Sequence, residues 1–167
     1  MAFRRILVLG GARSGKSALA ERLASECGEP VVYVATGRPI DEEMATRITH
    51  HRQRRPQSWR TIEAPLELPA AYADAATVLV EDLTFLLSNH MERDGPRAEA
   101  RTVATFETLL TVGSHLIVVS NEVGMGLVPP YPLGRQFRDA LGRVNQAAAA
   151  RSDEVYFTVA GLPLRLK

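Results

Sequence analysis

The stretch RRILVLGGARSGKS, residues 4–17, constrains this chain more than any other. A short apolar run ends in two glycines, and Gly10, Gly15, Lys16 and Ser17 satisfy the spacing G-x-x-x-x-G-K-[ST]. Glycines let the backbone turn tightly enough for its N–H groups to face phosphate oxygens, and a helix starting at the lysine adds partial positive charge. The motif therefore demands a buried strand before it and a helix after it. Both fit: ILVL reads as a buried strand, and residues 16–27 carry Leu19, Leu23 and Cys27 at helical spacings of four.

The rest of the chain repeats that alternation. VVYVAT (31–36), SWRTIEA (58–64), TVLVED (77–82), HLIVVSNE (115–122) and EVYFTVAG (154–161) read as strands, and LPLRLK (162–167) as an added edge strand. Helices are expected over 41–55, with Asp41 as cap, acids in the first turn and Pro56 after the end, and over 66–76, 97–112 and 133–150. The Gly- and Pro-rich GMGLVPPYP (124–132) reads as a loop over a site. Short apolar strands alternating with helices indicate an α/β fold, P-loop NTPase-like, with a mainly parallel sheet covered by helices on both faces. Without a repeat or linker in its 167 residues, the chain reads as a single nucleotide-binding domain over 1–167.

Composition narrows the partners. Twenty Lys+Arg against nineteen Asp+Glu leave a net charge of +1, so no overall attraction to nucleic acid or anionic membrane is expected. One cysteine, Cys27, excludes an internal disulfide and suits a reducing cytoplasm. The apolar run at the start is too short for a membrane span, so no membrane anchor is expected.

Two further features bear on chemistry. Glu81 follows the apolar core of VLVED, where a P-loop protein needs an acid for the metal's ligand shell; Ser17 and Glu81 are the expected magnesium ligands, Glu81 through water. A solvated acid pair at a strand end is the plain alternative. In RITHHRQRRPQSW, His50 and His51 project about 100° apart on a helix. Met44, Ile48, His51 and Arg55 share one stripe; His50 groups with Glu43, Thr46, Arg47 and Arg54 on the polar side. His51 thus sits where a side chain can be held. Three readings stand for this segment: a charged helix end, a nucleic-acid contact through its basic residues and Trp59, and a histidine nucleophile with arginines neutralising phosphate oxygens. Arg47, Arg52 and Arg55 beside the ring are expected to disfavour its protonation.

Taken together, GGARSGKS, the R-I-x-x-H-R-x-x-R-P-x-x-W segment, VLVEDLT and SNEVGMGLVPPYPLGRQFRDALGRVNQ resemble the adenosylcobinamide kinase/adenosylcobinamide-phosphate guanylyltransferase family, over nearly the whole chain and in the same order. The resemblance implies two reactions: phosphorylation of adenosylcobinamide with ATP or GTP, then transfer of GMP from GTP to adenosylcobinamide phosphate, releasing pyrophosphate. It implies that His51 carries the GMP. Gly10, Gly11, Ala12, Arg13, Ser14, Gly15, Lys16 and Ser17 would hold phosphates. Ala35, Thr36 and Gly37 would lie beside the nucleotide, Arg52, Gln53, Arg54 and Arg55 against phosphates or base, and Glu63 against the guanosine. Glu81 matches the family's acid. Asn121 and Glu122 would face the cleft or stabilise the loop, and Arg138, Arg143 and Asn145 would face a partner subunit, the corrinoid or solvent. Family members are expected to be homotrimers. One stretch departs from the pattern: LLSNHMERDGPRAEAR (86–101) is shorter than expected between the TVLVED strand and the next helix. A plain small-molecule kinase and a regulatory GTP- or ATP-binding module are the alternatives, and neither needs a histidine nucleophile.

Overall fold

A computed structural model of the chain describes residues 3–67, 72 and 74–167. Its seven strands are β1 (Arg5–Gly10), β2 (Val31–Ala35), β3 (Arg60–Glu63), β4 (Thr77–Glu81), β5 (His115–Asn121), β6 (Glu154–Val159) and β7 (Leu162–Arg165). The α-helices are α1 (Lys16–Cys27), α2 (Glu42–Arg54), α3 (Leu83–Asp94), α4 (Ala98–Leu109) and α5 (Pro132–Arg151). The strands form one sheet in the order β3-β2-β4-β5-β1-β6-β7. Six strands are parallel, and β7 returns antiparallel on β6 as the edge strand.

Alternate side chains along the central strands enter two different cores, as the two-residue strand period requires. Ile6, Val8, Leu79, Ile117 and Val119 meet Leu19, Ala20, Leu23 and Ala24 of α1. Leu7, Val78, Val80, Leu116 and Val118 meet Leu83, Leu86 and Leu87 of α3, Phe106 of α4, and Leu141 and Val144 of α5. Each such aliphatic side chain contributes roughly 1.5–3 kcal/mol by leaving water. Burial on both faces is why these strands read as unbroken apolar runs rather than alternating ones.

Two sequence expectations need correction. The stretch expected to connect the TVLVED strand, β4, to a helix over 97–112 is itself largely helical: Leu83–Asp94 form α3, a single 3₁₀ turn spans Gly95–Arg97, and α4 ends at Leu109. The short connection therefore holds a helix pair. Of the helix expected over 66–76, residues 68–71 and 73 lie outside the described residues, and the described remainder is not helical. The side chains of Glu43, Met44 and Arg47, part of the stripe argument for α2, also lie outside the description. The expected loop over 124–132 is present up to Tyr131, with α5 starting at Pro132, but it stands in solvent: Leu127 is 97% exposed.

Candidate active site

Parallel register brings the functional candidates to one edge. Ala35 at the end of β2 aligns with Glu63 of β3 and with Glu81 of β4. Gly10 aligns with Asn121 of β5. All are at carboxyl ends of strands, the edge at which open α/β sheets bind ligands.

The phosphate cradle is built as its sequence requires. A Cβ on Gly10 would overlap the hydroxyls of Thr158 and Ser14, which lie 2.8 Å from each other. Gly15 takes a left-handed conformation (φ 95°) and caps α1, and a Cβ there would stand 3.0 Å from Gly161. The Gly161 amide donates to the Ser14 carbonyl at 2.9 Å, so the β6–β7 turn braces the cradle. Ala12 and Arg13 are exposed at its tip. The Lys16 ammonium lies back over the turn, donating to the Gly11 carbonyl at 3.3 Å.

Glu81 is the hub. One carboxylate oxygen accepts from the Ser17 hydroxyl, and the other accepts from the Tyr33 hydroxyl at 2.8 Å. His51 Nδ1 stands 3.7 Å from the first of these oxygens. Burial pushes the Glu81 carboxyl up, but His51 together with the Ser17 and Tyr33 hydroxyls outweighs it and holds the carboxyl below its ordinary range. Donor atoms of Glu21, His51 and Glu81 gather within 4.8 Å of one another. Among the expected site residues, the structure therefore unites Ser17, His51 and Glu81 beside the cradle.

Asp82 does a different job from its neighbour. Its side chain accepts from the Phe85 amide at 2.8 Å and caps α3, while Asn121 reaches it at 3.3 Å. Burial, with the adjacent Glu81 charge adding to it, pushes the Asp82 carboxyl up to about 6. Thr36 is buried between these elements. Its hydroxyl accepts from the Asp82 amide and donates to the Asp82 carbonyl, both at 2.7 Å. Gly37 packs on the Phe85 ring.

The described arginines at the end of α2 are engaged within the chain. Arg52 pairs with Glu63 at 2.8 Å, both exposed, and Arg54, exposed like His50, reaches Glu21 of α1 at 3.0 Å. Arg55 is buried, its guanidinium 3.7 Å above the Tyr33 ring and donating to the His51 carbonyl and the Thr61 hydroxyl. Among the described residues, the carboxylates of Glu81 and Glu21 flank the His51 ring, while Arg52 and Arg55 are engaged elsewhere. Gln53 and His50 are exposed. His51 is partly buried, as its place in the stripe requires.

The remaining candidates make local contacts. Asn121 donates to the Thr84 hydroxyl at 2.9 Å, and Asn145 to the Asn121 carbonyl at 3.0 Å. The Glu122 carboxylate accepts from the Gly124 amide and holds the loop start. Arg138 pairs with Asp139, and Arg143 with Glu99, on the surface. Sequence reasoning missed Glu21 and Tyr33. The signal for Glu21 was present: it lies one helical turn beyond Ser17, hence on the same face of α1.

A mainly parallel sheet whose first strand feeds a braced glycine turn, with a hydroxyl, a carboxylate and an imidazole near one another beside it, defines a P-loop nucleotide-binding protein. Residues 6–166 match the family model for cobinamide kinase / cobinamide phosphate guanyltransferase, and the chain belongs to that family. It is 48% identical over 168 residues to the bifunctional adenosylcobalamin biosynthesis protein CobP of Pseudomonas aeruginosa, covering 98% of this chain and 97% of the relative. The corresponding CobU proteins of Escherichia coli and Salmonella typhimurium are 41% and 39% identical over 180 residues, each covering 97% of this chain and 99% of the relative. Among the described residues, no helix is long and apolar enough to cross a membrane.

Proposed function

We propose that the chain phosphorylates adenosylcobinamide with ATP or GTP and then transfers GMP from GTP to the product, through a guanylylated His51. The observation that carries this reading is the approach of the His51 ring, at 3.7 Å, to the carboxylate that accepts from the P-loop serine. This proximity supports attack by the imidazole on a phosphate held in the cradle.

In this mechanism the cradle amides and Lys16 bind the triphosphate, and its α-phosphorus lies toward His51. A neutral ring nitrogen attacks that phosphorus, the bond to the bridging oxygen breaks, and pyrophosphate leaves with the electron pair. A phosphate oxygen of adenosylcobinamide phosphate then attacks the same phosphorus and frees the ring. Lys16 stabilises charge on the departing oxygens. Ser17 and Glu81, a hydroxyl and a carboxylate converging on each other, are a hard oxygen pair that fits a magnesium ion, directly or through water, which would neutralise phosphate charge. Arg52 and Glu63, exposed and paired at the sheet edge, are the groups free to turn toward the guanosine.

The whole chain acts as one nucleotide-binding domain in the cytoplasm. We extend the reading to a homotrimer, supported by the apolar side chains of Met125, Leu127, Val128, Tyr131 and Leu133, all exposed together around the loop before α5.

The test is incubation with α-labelled GTP followed by denaturation. An alkali-stable, acid-labile label is expected on the parent protein and on His50→Ala, and none on His51→Ala. Equal labelling of parent and His51→Ala would falsify the covalent role.

A further inference from the structure

Tyr33 carries a hydroxyl into a strand that is otherwise aliphatic. Val31 to Val34 of β2 are buried, and Tyr33 itself is 4% exposed. Its register partner on β4 is Leu79, so its ring lies on the sheet face that Leu79 and Glu81 share by the two-residue strand period. From there the phenol reaches one step along β4, and its hydroxyl donates to one oxygen of the Glu81 carboxylate at 2.8 Å. The other oxygen accepts from the Ser17 hydroxyl and stands 3.7 Å from His51 Nδ1. The carboxylate thus has a rear oxygen on Tyr33 and a front oxygen toward the cradle and the imidazole.

The two donors on Glu81 differ in how firmly they are held. The Ser17 hydroxyl turns about a single bond and follows the carboxylate. The Tyr33 ring is packed in the core shared with Leu19, Trp59 and Leu79. The Arg55 guanidinium covers it at 3.7 Å and is itself tied to the His51 carbonyl and the Thr61 hydroxyl. A glutamate side chain has several torsions to settle, and a rigid donor selects one arrangement of them.

We infer that Tyr33 is a positioning residue of the nucleotide site: its hydroxyl holds the rear oxygen of Glu81, so that the front oxygen stays turned toward Ser17. No step is assigned to the phenol itself. Donors behind a ligating carboxylate fix its orientation, and losing one costs about 10- to 100-fold in metal affinity or activity. This inference rests on the reading that Ser17 and Glu81 face the magnesium of a cradle-bound nucleotide.

The test uses the full chain and needs no turnover. Tyr33→Phe removes the hydroxyl and keeps the ring, its packing and its stacking with Arg55. Protein loaded with a GTP analogue, methylene in place of the α–β bridging oxygen, is titrated with Mn²⁺, and free Mn²⁺ is read by electron paramagnetic resonance. Tyr33→Phe is expected to bind Mn²⁺ about 10-fold more weakly, with its affinity for the metal-free analogue unchanged in calorimetry. Glu81→Ala should weaken Mn²⁺ binding at least as much, and adding Tyr33→Phe to it should weaken it no further, since the phenol acts through the carboxylate. A tyrosine that only fills the core would lower stability in urea unfolding and leave Mn²⁺ binding unmoved. The role is overturned if Tyr33→Phe binds Mn²⁺ as the parent does while Glu81→Ala does not. It is equally overturned if Tyr33→Phe weakens Mn²⁺ binding to the same extent in the Glu81→Ala background. Parent-like Mn²⁺ binding by Glu81→Ala removes the metal-side reading of Glu81 and this inference together. Labelling of His51→Ala is a separate readout, so loss of the covalent role is told apart from loss of this one.

Discussion

Single atoms decide whether the phosphate cradle closes. Gly10 is required by contact rather than by backbone angle, since a methyl there would overlap the Ser14 and Thr158 hydroxyls. Gly10→Ala is expected to cost about 1–3 kcal/mol in urea unfolding through overpacking, and to weaken nucleotide binding in titration calorimetry beyond that loss. The motif spacing announces this glycine, but its partner does not come from the motif: Thr158 lies 144 residues beyond Ser14. Arg55 makes the reverse point. Its spacing suggests a phosphate contact, yet its guanidinium covers Tyr33 and holds the end of α2. The nearest ring, carbonyl and hydroxyl take up its guanidinium in this structure. Arg55→Lys cannot reproduce a planar group stacked on the ring and forked between His51 and Thr61, and a loss of about 1–2 kcal/mol is expected by thermal or urea unfolding.

At the scale of elements, α3 shows what periodicity can hide. Leu83, Leu86, Leu87 and His90 recur at three- and four-residue spacings and are buried, but the run is brief and its polar tail leads into Gly95–Pro96. A short apolar stretch of this kind is ambiguous until a sheet lies beneath it. Its start depends on Asp82, a residue without an assigned role in the sequence and a helix cap in the structure. Asp82→Ala is expected to destabilise by about 1–2 kcal/mol in urea unfolding, and Asp82→Asn, which keeps a capping oxygen, by less. The strands were more legible than the helices between them, because residues buried on both faces leave no polar position to confuse the pattern.

For the whole molecule, Glu154 joins distant parts of the chain. It accepts from Arg4 through both oxygens, at 2.7 and 3.1 Å, and from the Tyr156 hydroxyl at 2.8 Å. The Arg4 hydrogen bonds, opposed by partial burial, hold its carboxyl below the ordinary range. Such a group adds stability that is complete above the unfolded carboxylate pKa and is lost as pH falls through the lowered folded value. Glu154→Gln should therefore be less stable than the parent by about 1–2 kcal/mol at pH 7, with the gap narrowing at pH 3 in urea unfolding. The proposed assembly makes its own prediction: Leu127→Asp, placing charge on the most exposed apolar side chain, should shift a trimer toward monomer in sedimentation equilibrium. The sequence by itself determined the phosphate cradle, the α/β alternation and the partly buried place of His51 on its helix, because motif spacing and helix periodicity are local. Only the tertiary structure decided that Glu21 of α1 and Glu81 of β4 stand near the imidazole of α2. Those groups come from three separate elements, and a sheet's register, not the distance along the chain, sets which side chains share a site.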